Sequence, residues 1–105
     1  QGFVTFLREY PFSLLADQGW YWLGESRYLD HGFNDAVTAM TTLLDSFPGS
    51  ALGEAARLRL GSSYFELRRY QEARDVLEEL LDISPDREIL DLAKALLSDL
   101  AAQGY

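Results

Sequence analysis

Apolar residues recur along the chain at helical spacing. Phe3, Phe6 and Leu7 stand at i, i+3 and i+4, and Met40, Leu43 and Leu44 repeat that set 37 residues later. Leu52, Ala56 and Leu60 form a second stripe, one residue in four, which returns as Ile89, Ala93 and Leu97. The prolines, at 11, 48 and 85, keep the same interval. A shift of 37 also lays Leu23-Gly24 on Leu60-Gly61, Ser26 on Ser63, Ala36 on Ala73, and Leu43-Leu44-Asp45 on Leu80-Leu81-Asp82. Aromatic residues follow suit: Tyr10, Tyr28 and Phe33 meet Phe47, Phe65 and Tyr70. Self-similarity at a fixed period is the mark of stacked structural units.

Each unit reads as two helices. The first is expected to start at Ser13 or Ser50, both good N-caps, and to run to about Asp30 or Leu67. In the first unit Asp30-His31-Gly32 ends it, with Gly32 expected in the left-handed conformation. In the second unit the break falls at Arg68-Arg69. The second helix spans about Asn34–Ser46 and Gln71–Ile83, and a proline closes each unit. Gly24 and Gly61 sit inside first helices, where Gly costs about 1 kcal/mol relative to Ala. A close approach of the partner helix, with Gly facing Ala36 or Ala73, would offset that cost. The pattern predicts one all-α domain over 1–105, an array of antiparallel helix hairpins with about six helices. Residues 1–10 are the second helix of a truncated unit, 11–47 and 48–84 complete units, and 85–105 a capping helix. Ser98 takes the packing-glycine position of that cap, and Asp91, Lys94 and Asp99 are expected to solvate its outer face.

Composition narrows the function. The chain of 105 residues is 48% hydrophobic and 13% aromatic, which suits a folded domain. A net charge of −8 repels phosphate backbones and anionic lipid, so neither nucleic acid nor a membrane surface is an expected partner. The arginines at 57, 59, 68, 69 and 74 read as a solvated face that offsets neighbouring carboxylates, with a docking patch for an acidic partner as the alternative. There is no cysteine, hence no disulfide or zinc–thiolate site. No stretch is apolar over a membrane-spanning length, so insertion is not expected. The chain opens at Gln1 without an initiator Met, and is expected to be a piece of a longer protein whose targeting signals lie upstream.

No catalytic constellation stands out. His31 is the only histidine, in a turn, with no second imidazole at metal-ligand spacing. Ser26, Ser62, Ser63 and Ser98 lack a neighbouring base. Glu78, Glu79 and Asp82 lie along a helix face beside arginines. The expectation is no enzyme, no metal and no cofactor.

These residues resemble the tetratricopeptide repeat family, whose pattern is Trp, then Leu-Gly, an aromatic, a central Ala and a closing Pro. The first unit supplies Trp20, Leu23, Gly24, Ala36 and Pro48; the second supplies Leu60, Gly61, Tyr64, Ala73 and Pro85. Arg57 departs at the Trp position, Arg27 at the first aromatic, and Leu43 and Leu80 replace a small residue. The common repeat has about 34 residues. Here the excess lies between proline and glycine, which is expected to lengthen the first helix by about one turn. Such long units are similar to those of bacterial envelope proteins, chiefly the C-terminal domains of Tol–Pal system periplasmic coordinators, and next the outer-membrane barrel assembly lipoproteins.

The resemblance implies a right-handed superhelix and a scaffold role: binding a protein or peptide, by analogy a Tol-system envelope protein, in the periplasm, with the cytoplasm as the alternative setting. It also implies a groove lined by first helices. Its positions map onto Gln18, Tyr21, Trp22, Glu25, Tyr28 and Leu29, and onto Ala55, Leu58, Arg59, Ser62, Phe65 and Glu66. Tyr21, Trp22 and Arg59 are expected to be exposed, while Tyr28 and Phe65 divide between groove and core. Some relatives clamp a peptide's C-terminal carboxylate with basic residues. Tyr21, Glu25, Leu58 and Ser62 stand at those positions, and Glu25 would repel a carboxylate. The other reading is a structural assembly element that self-associates through open repeat ends, Phe3 and Phe6 among them.

Overall fold

The computed structural model describes residues 16–105, which form five α-helices and, among the described residues, no strand. They are α1 (Ala16–Leu29), α2 (Phe33–Ser46), α3 (Gly53–Glu66), α4 (Tyr70–Ile83) and α5 (Arg87–Ala102). The sixth helix expected in 1–10, the cap at Ser13 and the open end at Phe3 and Phe6 lie outside the described residues. Each helix packs on the next in the chain, and α3 also meets α1 and α5. The first helices α1, α3 and α5 thus make one layer, and the second helices α2 and α4 the other. The smallest dimension of this body, 18 Å, is about two helix diameters.

The core runs between the layers. Met40, Leu43, Leu77, Leu80 and Leu100 are fully buried, each worth roughly 1.5–3 kcal/mol of transfer free energy. Met40 and Leu43 gather Ala56, Leu60, Trp20 and Tyr21; Leu77 and Leu80 gather Ala73, Ala93 and Leu100. Tyr64 and Val76 touch both groups and join them into one core. Leu43 and Leu80, large where the family has a small residue, are wholly inside it. Arg57, standing at the Trp position of the second unit, turns outward and pairs with Glu79 of α4 at 2.8 Å.

The two helical glycines make the close approach, but not against alanine as expected. A Cβ on Gly24 would lie 2.6 Å from Met40 Cε, and one on Gly61 would lie 2.8 Å from Leu77 Cγ and Cδ2. The alanines are fully buried elsewhere on the same helices. The residue that fills the notch stands four positions later, one helical turn, because a long side chain at that place lies over the glycine while a methyl could not reach it.

The turns inside the units also differ from expectation. The left-handed residue after α1 is His31 (φ 63°), and Gly32 has φ −85°. His31 N–H donates to Tyr28 O and Gly32 N–H to Arg27 O, the paired bonds of a Schellman ending. Arg68 (φ 61°) does the same after α3, and Gly104 (φ 93°) after α5. One backbone device therefore closes all three first helices, and two of the three use a residue with a side chain.

At α3 the three extra residues of the period lengthen the connection and not the helix, whereas α5 starts three residues earlier in the register and has 16 residues, the longer first helix expected. α3 begins at Gly53, three residues beyond the expected cap, and has 14 residues, like α2 and α4. Ser50 holds the turn before it: its hydroxyl accepts from Leu52 N–H at 3.1 Å and donates to Asp17 of α1 at 2.7 Å. Ser84 repeats the device one unit on, accepting from Asp86 N–H and donating to Glu54 of α3. That second connection is shorter, so Asp86 caps α5 directly through Glu88 N–H and Ile89 N–H.

Two outcomes test this packing. Propensity alone makes Gly61→Ala stabilising by about 1 kcal/mol. The 2.8 Å clash with Leu77 reverses the sign, and denaturant unfolding should show a loss of about 2 kcal/mol. Arg68→Gly relieves the left-handed strain at an exposed site, so thermal unfolding should show a gain of about 1 kcal/mol, with Arg68→Ala near neutral.

Candidate partner-binding face

The face of the first-helix layer turned away from α2 and α4 carries the residues expected to line a groove. On α1, Gln18, Trp22 and Leu29 are exposed at helical intervals, with Glu25 between them. On α3 the matching positions are Ala55, Arg59, Ser62 and Glu66. The same register continues onto α5 as Leu92, Leu96 and Asp99, and reaches its C-cap at Gln103. Of these, Leu92, Leu96 and Gln103 were missed because α5 was expected only as a solvating cap, and one more shift of 37 finds them. Five large apolar side chains are prominently exposed among the described residues. Three of them lie on this stripe: Trp22 (61%), Leu29 (74%) and Leu92 (46%).

Four other expected groove residues turn partly inward. Tyr21 packs against the Met40 core and is only half exposed; burial, and then the charge of Glu25, holds its phenol above the usual pKa, with Arg59 opposing. Leu58 and Phe65 pack on the Leu77 core, and Phe65 meets Tyr70 edge-on at 5.5 Å. Tyr28 meets Phe33 in the same way at 5.3 Å. Tyr21 and Arg59 thus correct the expectation of full exposure, whereas Trp22 meets it. A stripe on a helix says which way a side chain leaves the backbone, not whether the neighbouring helix covers it.

Arg59 and Glu25 form the polar centre. The guanidinium donates twice to the carboxylate, Nε at 2.5 Å and Nη2 at 3.0 Å, and lies 4.1 Å from the centroid of Tyr28. The side chains are 29% and 14% exposed. The hydrogen bonds to Glu25 raise the Arg59 pKa further above its usual value. Glu25 is therefore neutralised, and the repulsion expected of it toward a carboxylate is largely cancelled. The feature that now argues against a carboxylate clamp is that Arg59 is already committed. Three more arginines of the cluster follow the offsetting pattern: Arg57, Arg69 and Arg74 pair with Glu79, Glu72 and Glu78.

The end of this face holds an open hollow of about 270 Å³, lined by Tyr28, Leu29, His31, Phe33 and Glu66. His31 is exposed and stacks on Phe33 at 5.6 Å and 20°. Ser62 and Ser63 donate to the carbonyls of Leu58 and Arg59. Among the described residues no group of three or more His, Asp or Glu could hold a metal, and no helix is long and apolar enough to cross a membrane.

The tetratricopeptide repeat sequence profile matches residues 30–98, about two thirds of the chain, from the turn after α1 into α5. No curated protein matches the chain at a significant level.

The half-buried bidentate pair Arg59–Glu25 separates from the surface pairs by energy. A double-mutant cycle of Glu25→Gln with Arg59→Gln should give a coupling of about 1–2 kcal/mol. The i,i+4 pair Arg74–Glu78 should give about 0.3–0.5 kcal/mol, lost in high salt.

Proposed function

Because the chain belongs to the tetratricopeptide repeat family, a family of protein-interaction repeats, we propose that it binds a segment of a partner protein across the stripe of α1, α3 and α5. One observation carries this reading: Trp22, Leu29 and Leu92 are exposed on one face, beside a polar centre that is already satisfied. Exposed aromatic and aliphatic anchors around a fixed polar pair are the composition of an interface centre. The partner supplies apolar side chains, and Glu25–Arg59 fixes the spacing of α1 and α3 beneath it. The TPR family is not an enzymatic one, and the exposed stripe presents no nucleophile paired with a base.

For the setting we propose the bacterial envelope, with a Tol-system protein as partner and cell division as the process served. The 37-residue period supports this; helix length supports it at α5, with 16 residues, and not at α3, which is no longer than α2 or α4. A barrel-assembly component would use the same face.

Peptides selected on this protein from a randomised display library should share apolar or aromatic anchors. Trp22→Ala should weaken the best of them at least about tenfold with an unchanged helical circular dichroism spectrum. Unchanged affinity would remove the face from consideration. Titration with the soluble periplasmic domain of a Tol protein tests the setting separately.

A further inference from the structure

The two units differ at one place where their repeat should make them alike. In the second unit, Phe65 and Tyr70 form an edge-on pair at the α3–α4 turn, and a third ring completes it: Tyr105, 5.5 Å from Tyr70. Tyr105 stands two residues beyond the C-cap Gln103, where its N–H closes the Schellman ending on Leu100, and Arg74 holds its carbonyl oxygen at 2.7 Å. In the first unit the equivalent pair is Tyr28 and Phe33. The residue at the place of Tyr105 is Arg69, two beyond the C-cap Leu67, with its N–H on Tyr64 O. Arg69 turns away: its guanidinium lies over the Tyr64 ring at 4.8 Å and pairs with Glu72. The space between the end of α3 and Phe33 is the hollow of about 270 Å³. It is the first unit's counterpart of a site that the second unit fills with its own tyrosine.

We propose that this hollow receives one aromatic side chain bearing a hydrogen-bond donor, a tyrosine or tryptophan, from the partner segment. The inference rests on the partner-binding reading above, and names the anchor that segment carries. The ring would lie against Phe33 and Tyr28, as Tyr105 lies against Tyr70. Leu29, 74% exposed, would gain apolar cover on its flank. Glu66 lines the hollow and makes no ion pair among the described residues, so its carboxylate is placed to accept from an indole N–H or phenol O–H. A carboxylate beside bare aromatic walls disfavours an acidic side chain there. A leucine would fill part of the volume but leave Glu66 without a donor.

The test uses N-acetyl-tryptophan amide as the probe, titrated at millimolar concentration into the isotope-labelled protein and followed by amide shifts. Saturable shifts centred on residues 28–33 and 66 are expected, with N-acetyl-leucine amide binding at least about fivefold more weakly. Glu66→Ala, at an exposed helix end, should weaken the tryptophan probe about fivefold and leave N-acetyl-phenylalanine amide, which has no side-chain donor, unchanged. Leu29→Glu, at a second exposed position, should weaken both aromatic probes. Shifts confined to the Trp22–Leu92 stripe, no saturation, or equal binding of the leucine probe would overturn the inference. Those results leave the display-selected peptides and their dependence on Trp22 intact, so loss of the hollow and loss of the face are told apart.

Discussion

Everything in this molecule depends on how closely two helices can lie within a hairpin. At Gly24 and Gly61 the first helix presents bare backbone, and Met40 or Leu77 fills the notch with side-chain atoms that a Cβ would displace. That contact sets the distance between layers. With the layers close, Leu43 and Leu80 can be large and still be fully buried, and Tyr64 and Val76 can reach both halves of the core. The glycines give up helix propensity for packing, and the exchange favours packing because a buried Leu or Met contributes more than propensity takes away.

Two smaller devices carry the hairpin into an array. The Schellman ending closes each first helix with the same pair of backbone bonds, whether the left-handed residue is His31, Arg68 or Gly104. Ser50 and Ser84 tie each connection back to an acidic side chain on the preceding first helix. These latches tolerate connections of different length. The long one places α3 behind a turn, and the short one lets Asp86 start α5 directly. The stripe of exposed positions passes across α1, α3 and α5 without losing register, because core residues such as Ala56 and Ala93 hold equivalent buried places.

The candidate face was legible in outline. Trp22 and Leu29 are where the repeat register puts them, and Leu92 follows from one more application of that register. Arg59 and Tyr21 were not legible as they are. The pairing of Arg59 with Glu25 joins residues 34 apart on different helices, and the half-burial of Tyr21 depends on the position of α2. The difference between the units at Phe33 and Tyr70 was hidden for the same reason. It turns on Arg69 preferring Glu72 and Tyr64 to the space beside Phe33.

By itself the sequence determined the all-helical class, the repeat, the hairpin order and the residues of the buried faces. Those follow from periodicity and from glycine and proline placement, which act locally along the chain. Tertiary structure alone decided that Met40 and Leu77, not the alanines, fill the glycine notches. It alone decided that His31 and not Gly32 turns left-handed, and that the three added residues go into the linker before α3 but into the helix at α5. Each of these is a choice among locally acceptable conformations. What separates them is the contact made with another helix, and that energy appears only once the helices are side by side.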